Sequence, residues 1–302
     1  MSSTNRDRMR NAVSDSAGVA GRSAKTVGGI VSDMFARAGR NNTSIVAAGV
    51  AFYAFLAMVP LLAATVLTYG LVATPQTVAA NIGTLSDVLP EAAAGLFAEQ
   101  LETVVETSAG KKGLGLLIAL AVALFGARNG AGSILTALNI AHGVPEARGF
   151  IKANLAALAI TAAGIVAIVL AILAMGVLTA TLAYLGGGIA IAGTAATYLF
   201  LFGVGTVGAS LLYRYAPNRA VPRWRLVVPG ALLSTSGWML LTLGFGYYVA
   251  NFGNYNATYG SLSAVVVLLT WLYASAFLLL LGAELNATLG DRRSGYKGLP
   301  VG

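Results

Sequence analysis

The chain has 302 residues, of which 57% are hydrophobic and only 10% are charged, and its mean hydropathy is +0.77. Soluble domains carry about 25% charged residues, so much of this surface is expected to face lipid instead of water. The formal net charge of +8 is distributed in short clusters between long uncharged runs. That distribution is typical of a membrane protein. It argues against a nucleic-acid-binding face, and we predict no nucleic-acid partner.

The same composition excludes most kinds of catalytic site. There is no cysteine, which excludes disulfides, thiolate nucleophiles and cysteine-ligated metals, and His142 is the only histidine. No Walker glycine loop, HExxH motif or cluster of paired carboxylates occurs. We therefore predict no catalytic residue, no metal site and no cofactor.

In chain order, residues 1–26 are polar and are predicted to form a disordered cytoplasmic tail. The next segment, 27–40, predicts a short helix on the membrane surface, because it mixes apolar with basic side chains: Ile30, Val31, Met34, Phe35, Arg37 and Arg40. An uncharged run over 45–72 then exceeds the roughly 20 residues needed to cross the hydrocarbon. It predicts the first span, in which Pro60 should produce a kink.

The stretch from 74 to 112 has helical spacing of apolar residues opposite glutamates, and predicts an extracytoplasmic amphipathic helix between spans one and two. The second span, 113–140, contains Arg128 and Asn129. Uncharged runs at 153–213 and 226–283 are each long enough for two spans, with turns at glycines 186–188 and within 246–260. The predicted fold is an all-α bundle of six transmembrane helices over residues 27–290, followed by a cytoplasmic tail, 291–302.

The loop charges predict the orientation of the bundle. With six spans, both tails and the connectors at 142–152 and 214–225 lie on one side, and 16 of the 19 Lys and Arg residues fall there. Positive loops remain in the cytoplasm. The prediction is therefore N-in and C-in.

Arg128 is the most informative single residue, because an arginine within a span is costly unless it reaches the interface or finds a partner. One interpretation is that it extends to lipid headgroups or helix-end carbonyls. The other is that Arg128 and Asn129 bind an anionic substrate or pair with an acid. Glu284, near the cytoplasmic end of the last span, is placed at a similar depth by residue counting, and we predict that it approaches Arg128. Gly126 and Gly130 have the GxxxG spacing that permits close helix packing.

Two polar clusters flank the later spans. The segment 245–261 contains Tyr255, Asn256 and Tyr259, which either anchor the interface or line the mouth of a substrate cavity. The densest basic cluster is predicted to bind anionic lipid headgroups on the cytoplasmic side and consists of Arg214, Arg219, Arg223 and Arg225.

Several motifs in order resemble the YihY/BrkB family of bacterial inner-membrane proteins, formerly mislabelled ribonuclease BN. They are the run AAGVAFYAFLAMVPLL at 47–62, YAPN at 215–218, PG at 229–230 and the long stretch from YNATYGS to GAELNA at 255–287. The resemblance covers roughly residues 27–290. It implies a six-helix envelope protein, associated in various members with envelope integrity and resistance to host killing. The motif positions carried over are Tyr53, Pro60, Tyr215, Pro217, Asn218, Tyr259, Gly260, Trp271 and Glu284.

Three functions remain open at this point. The first is a transporter or flippase-like protein for an anionic or amphipathic molecule. Its predicted substrate contacts are Arg128, Asn129, Glu284, Tyr53 and the tyrosine segment, 245–261, with Tyr255, Asn256 and Tyr259. The second is a non-catalytic envelope-integrity protein that binds lipid, an envelope partner or further copies of itself. The third, a membrane enzyme, lacks candidate catalytic groups.

Overall fold

The computed structural model describes residues 27–70, 114–184, 190–252 and 261–294. Over these residues the chain is helical apart from short connectors, and no strand occurs in them. The helices are α1 (Val27–Arg40), α2 (Thr43–Gly70), α3 (Leu114–Ala141), α4 (Phe150–Tyr184), α5 (Ala190–Tyr215), α6 (Trp224–Phe252) and α7 (Ser261–Ser294). Helix α7 includes residues 291–294, which were predicted to belong to the cytoplasmic tail.

Several predictions fall outside the described residues. These are the disordered tail at 1–26, the amphipathic helix between the first two spans, the turn at glycines 186–188, and the part of the tyrosine segment at 253–260, including Tyr255, Asn256 and Tyr259.

Several of the helices have the length and composition of membrane spans. Four meet both criteria within the described residues: Phe150–Leu178, Ala195–Tyr215, Trp224–Tyr248 and Val265–Arg293. The bent pair formed by α1 and the first part of α2 makes a fifth if it is counted as one span. Large apolar side chains such as Val122, Leu170 and Leu240 are exposed on the outside, whereas small residues such as Ala47 and Ala231 are fully buried. An apolar exterior around a small-residue interior is the arrangement expected in lipid. The prediction of an all-α membrane protein is therefore confirmed for the described residues.

The first two helices meet at a sharp bend. α1 and the first part of α2 are inclined by 65° across Asn41 and Asn42, and Asn42 has a φ of +48°. Asparagine tolerates this left-handed conformation better than most residues, so it can end one helix and start the next. The short helix predicted at 27–40 is thus present, and its Met34 and Ala38 are buried against Leu281 of α7.

Glycines allow α2 and α3 to pack closely. A methyl group added at Gly126 would lie 2.9 Å from Cβ of Pro60, and one at Gly130 would lie 2.9 Å from Cβ of Ala57. Both distances are shorter than real carbon contacts, so each position requires glycine. The close approach predicted from the GxxxG spacing is therefore present, and it fixes α3 against α2 on either side of Arg128.

A second close crossing joins α6 to α7. A methyl group at Gly230 would overlap the carbonyl oxygen of Gly282, and Asn286 accepts a hydrogen bond from the Gly230 N–H at 2.8 Å while donating to the Val227 carbonyl at 3.0 Å. On the other side, the hydroxyl of Tyr213 donates to the carbonyl of Leu279 at 2.6 Å. These bonds hold α5, α6 and α7 together within about one and a half turns of Glu284.

Candidate functional site

A buried carboxylate lies where α1, α2 and α7 meet. Glu284 is 0% exposed, although ionisable side chains are rarely fully buried unless they are paired. Its Oε1 accepts hydrogen bonds from Asn41 Nδ2 at 2.7 Å and from Thr43 Oγ1 at 3.1 Å. Its Oε2 lies 3.1 Å from Arg37 Nε, an ion pair that lacks good hydrogen-bond alignment. All three partners come from the bend between α1 and α2, so the bend encloses the carboxylate.

Arg37 connects this carboxylate to two other parts of the bundle. Its Nε donates to the carbonyl of Ala141 at the end of α3 at 3.2 Å, and its Nη1 lies 2.5 Å from Asp291 Oδ2 on α7. The helix-end carbonyl of α3 has no partner within its own helix, so a guanidinium is a suitable donor for it. One cation therefore joins α1, α3 and α7. We call Arg37, Asn41, Thr43, Glu284 and Asp291 the Glu284 cluster.

Two further basic groups adjoin the cluster. His142, in the turn after α3, is 9% exposed, and its Nδ1 lies 2.9 Å from the Leu138 carbonyl. Burial, followed by the positive charges of Arg219 and Arg37, lowers the pKa of His142 from 6.5 to about 4. Burial and the charge of Arg37 also lower the pKa of Arg219, against the influence of Asp291, which raises it. His142 is therefore neutral at pH 7.

The depressed pKa of His142 predicts an acid-sensitive stability. Because the unfolded state binds a proton near pH 6.5 and the folded state only near pH 4, stability is complete above pH 6.5 and falls between these values. The loss should reach about 3 kcal/mol below pH 4. We expect the thermal unfolding midpoint of the wild type in detergent to fall more steeply over this window than that of His142→Gln. Parallel curves for the two proteins would contradict a buried neutral histidine.

A network of polar contacts joins the two connectors next to the cluster. Asn139 of α3 donates to Glu146 at 2.8 Å and accepts from the Asn218 backbone N–H at 2.7 Å. Arg148 Nη2 donates to the Ala216 carbonyl at 2.9 Å. The α3–α4 and α5–α6 connectors therefore lie against each other at the same end of the bundle as Arg37.

The predicted pairing of Arg128 with Glu284 is wrong. No ion pair joins them in the described structure, and the partner of Glu284 is Arg37. Residue counting failed because Arg37 joins Glu284 to the end of α3 at Ala141, whereas Arg128 lies 13 residues earlier in that helix. At 1.5 Å per residue this is a separation of about 20 Å along the axis.

Arg128 instead interacts with neutral groups. Its guanidinium donates to Asn129 Oδ1 at 3.0 Å and to Asn154 Oδ1 of α4, and lies over the ring of Phe125 at 5.9 Å. Asn129 itself is exposed. Tyr53, the other predicted substrate contact in the described residues, is 46% exposed on the outside of α2.

The four predicted headgroup-binding arginines divide into two kinds. Arg223 and Arg225 are exposed at the start of α6, as headgroup contact requires. Arg214 and Arg219 are half-buried. Arg214 is used within the fold, since its guanidinium lies 4.5 Å from the centre of the Trp224 ring and donates to the Pro222 carbonyl at 2.5 Å.

Sequence reasoning missed Arg37, Asn41 and Thr43. The signal available was the Asn41–Asn42 pair between two apolar helical segments, which indicates a helix break. Such a break, together with an acid directly after the long uncharged run at 226–283, could have indicated a polar contact between the bend and Glu284. Among the described residues, no three His, Asp or Glu side chains group closely enough to hold a metal ion.

Comparison with known proteins identifies the family. The family model described as virulence factor BrkB matches residues 34–300. The chain is 31% identical over 224 residues to the ribonuclease-like protein YfkH of Bacillus subtilis (strain 168), covering 70% of this chain and 78% of YfkH. No solved structure matches. With its long apolar helices, the chain therefore belongs to the BrkB family and is a multi-pass protein of the bacterial inner membrane.

Proposed function

We propose that this protein is a transporter or flippase-like protein for an anionic or amphipathic molecule, in which the α1–α2 bend moves relative to Glu284. The observation that supports this best is the helix break closed around a fully buried carboxylate. Ionisable groups inside membrane bundles are costly and commonly belong to substrate or ion pathways. Discontinuous helices with polar groups at the break are typical of transporter sites.

The contacts of Glu284 suit a two-state element. Asn41 and Thr43 are neutral donors, and Arg37 has a second acidic partner in Asp291. The bend could therefore release Glu284 without leaving the guanidinium of Arg37 unpaired. In this proposal the bend has a second arrangement in which Glu284 is released, as alternating access requires.

The proposed topology has six spans with both termini in the cytoplasm. Support comes from contacts that gather α1, the two connectors and the end of α7 at one end of the bundle, where basic side chains are abundant: Arg37, Arg148, Arg219, Arg223, Arg225 and Arg292. Positive charge at one end favours the cytoplasmic side. In this orientation Arg223 and Arg225 would contact anionic headgroups at the start of α6.

We propose no catalytic step. The term ribonuclease-like is part of the name of YfkH, and we do not extend it to this chain. The Glu284 cluster has one buried carboxylate held by an arginine, which suits a structural switch better than general acid–base chemistry.

The test is a transport assay with the full-length protein in liposomes. Phosphatidylglycerol and phosphatidylcholine carrying a fluorescent label on the headgroup or chain would be the probes, and dithionite added outside would bleach labels that reach the outer leaflet. We expect faster bleaching of inner-leaflet phosphatidylglycerol than in empty liposomes. Glu284→Gln should lose most of this acceleration. Asp33→Asn, which neutralises an exposed carboxylate at the same end, should retain it.

The results separate the two functional hypotheses. A folded protein that moves neither probe would reject lipid transport and favour the alternative, an envelope-integrity protein that binds lipid or a partner. If Glu284→Gln moves lipid as fast as the wild type, the transport function stands but Glu284 has no part in it.

A further inference from the structure

The charge of Arg128 has no acidic partner in the described part of the chain. Its two hydrogen-bonding partners, Asn129 and Asn154, are neutral amides, and none of the ion pairs found includes it. Its Nε is buried without a hydrogen-bond partner. An arginine held in a membrane helix by neutral groups alone retains most of its desolvation cost. An anion from outside the protein would remove that cost.

The position of the guanidinium suggests where this anion comes from. Asn154 is the fifth residue of α4, about 6 Å from the helix start at 1.5 Å per residue. The exposed Lys152 lies between that start and Asn154. Arg128 therefore extends its charge to the first turns of α4, close to the exposed Lys152.

The site faces outward from the bundle. Asn129 is exposed, Phe125 is 65% exposed, and Val122, one further turn along α3, is 68% exposed. A polar guanidinium and two amides are therefore bordered by apolar surface on the membrane side. This combination fits an amphiphile whose phosphate meets Arg128 and whose acyl chains lie along α3.

We propose that Arg128, Asn129 and Asn154 bind the phosphate of an anionic phospholipid at the α3–α4 surface. Each Nη of Arg128 carries two N–H groups and uses one within the protein, so one N–H on each remains for a phosphate oxygen. Two parallel charge-assisted bonds to phosphate are a common mode of arginine recognition. The amide N–H groups of Asn129 and Asn154 can donate to the remaining phosphate oxygens, since both amide oxygens already accept from Arg128.

The site is also joined to the element that is proposed to move. Gly130, two residues after Arg128, packs against Ala57 and the Tyr53 carbonyl of α2, and the first residue of α2, Thr43, binds Glu284. Movement of α2 would therefore alter the surroundings of Arg128. Naming the bound phospholipid as the transported molecule rests on the proposed function, whereas its binding does not.

The test measures lipid retention by the purified full-length protein in detergent, using native mass spectrometry. The probes are phosphatidylglycerol, diacylglycerol with the same chains, and inorganic phosphate as competitor. We expect the wild type to retain phosphatidylglycerol, to retain diacylglycerol at least tenfold less, and to be insensitive to millimolar phosphate. Arg128→Gln should reduce the retention of phosphatidylglycerol about tenfold, the effect of losing one charge-assisted phosphate contact. Arg293→Gln, which removes an exposed arginine at the end of α7, is the matched control and should retain phosphatidylglycerol like the wild type.

Three outcomes would overturn the proposal. They are equal retention by Arg128→Gln and the wild type, equal retention of diacylglycerol and phosphatidylglycerol, or displacement of lipid by inorganic phosphate, which would indicate a site for a soluble anion. If Arg128→Gln does not fold, Arg128→Lys can be used, because it keeps the charge but not the planar guanidinium. Its retention of phosphatidylglycerol should still be severalfold lower than that of the wild type. The proposed function is tested separately. Retention that depends on Arg128 without lipid movement would reject transport alone, and lipid movement together with equal retention by Arg128→Gln and the wild type would reject the binding site alone.

Discussion

Replacing Arg37 by glutamine is expected to destabilise the protein by about 3–5 kcal/mol, because it leaves a buried carboxylate without a cation. Glu284 is 0% exposed, and Asn41 and Thr43 contribute hydrogen bonds but no positive charge. The same substitution removes the contact that joins α1 to the Ala141 carbonyl at the end of α3. The unfolding midpoint in a titration with SDS is the measurement.

Substitution of the partner should have a smaller effect. In Glu284→Gln, Arg37 keeps Asp291 and the Ala141 carbonyl, and the glutamine oxygen can still accept from Asn41 and Thr43. We expect a loss of about 1–2 kcal/mol. The double variant, Arg37→Gln with Glu284→Gln, should therefore be more stable than Arg37→Gln alone.

The control is an acid that does not contact Arg37. Asp33→Asn removes an exposed carboxylate paired with Arg292, and surface pairs contribute about 0–1 kcal/mol. The double variant Asp33→Asn with Arg37→Gln should therefore be no more stable than Arg37→Gln alone. Equal destabilisation by Arg37→Gln in the presence and absence of Glu284 would show that the two side chains are not coupled.

The long helices of this fold could be predicted because their determinants are local. Uncharged runs of sufficient length specify a helix in lipid, where every backbone group must be bonded within the segment. The spacing of Gly126 and Gly130 is equally local, and the close approach of α3 to α2 follows from it. The family could also be recognised, since motifs such as YAPN at 215–218 and the stretch before Glu284 occur in a fixed order.

The Glu284 cluster could not be predicted, because it depends on a bend and on the lateral arrangement of helices. Arg37 was assigned to a surface helix, since its neighbours alternate between apolar and basic. Only the 65° inclination at Asn41 and Asn42 brings it over the end of α7. The expected pairing of Arg128 with Glu284 assumed that both helices end at the same level. α7 in fact continues ten residues beyond Glu284, to Ser294, so Glu284 lies level with the end of α3 at Ala141, where Arg37 contacts both.

Replacing Gly230 by alanine is expected to cost about 3–6 kcal/mol, through overpacking and the loss of two buried hydrogen bonds. The added methyl group would overlap the Gly282 carbonyl oxygen and the side-chain amide of Asn286. Neither can yield easily, because the carbonyl belongs to the backbone of α7 and the amide bonds both the Gly230 N–H and the Val227 carbonyl. α6 would have to move away from α7.

A second glycine of the same helix provides the comparison. Gly244 has no heavy atom within 4 Å of an added methyl group, so Gly244→Ala should be neutral or stabilise α6 by up to about 1 kcal/mol. Both variants change glycine to alanine within α6, and differ only in what the methyl group meets. Thermal unfolding in detergent and the yield of monodisperse protein would measure the difference. Similar behaviour of the two variants would mean that α6 and α7 do not cross closely at Gly230, and would remove the fixed packing that holds Glu284 in position beside Arg37.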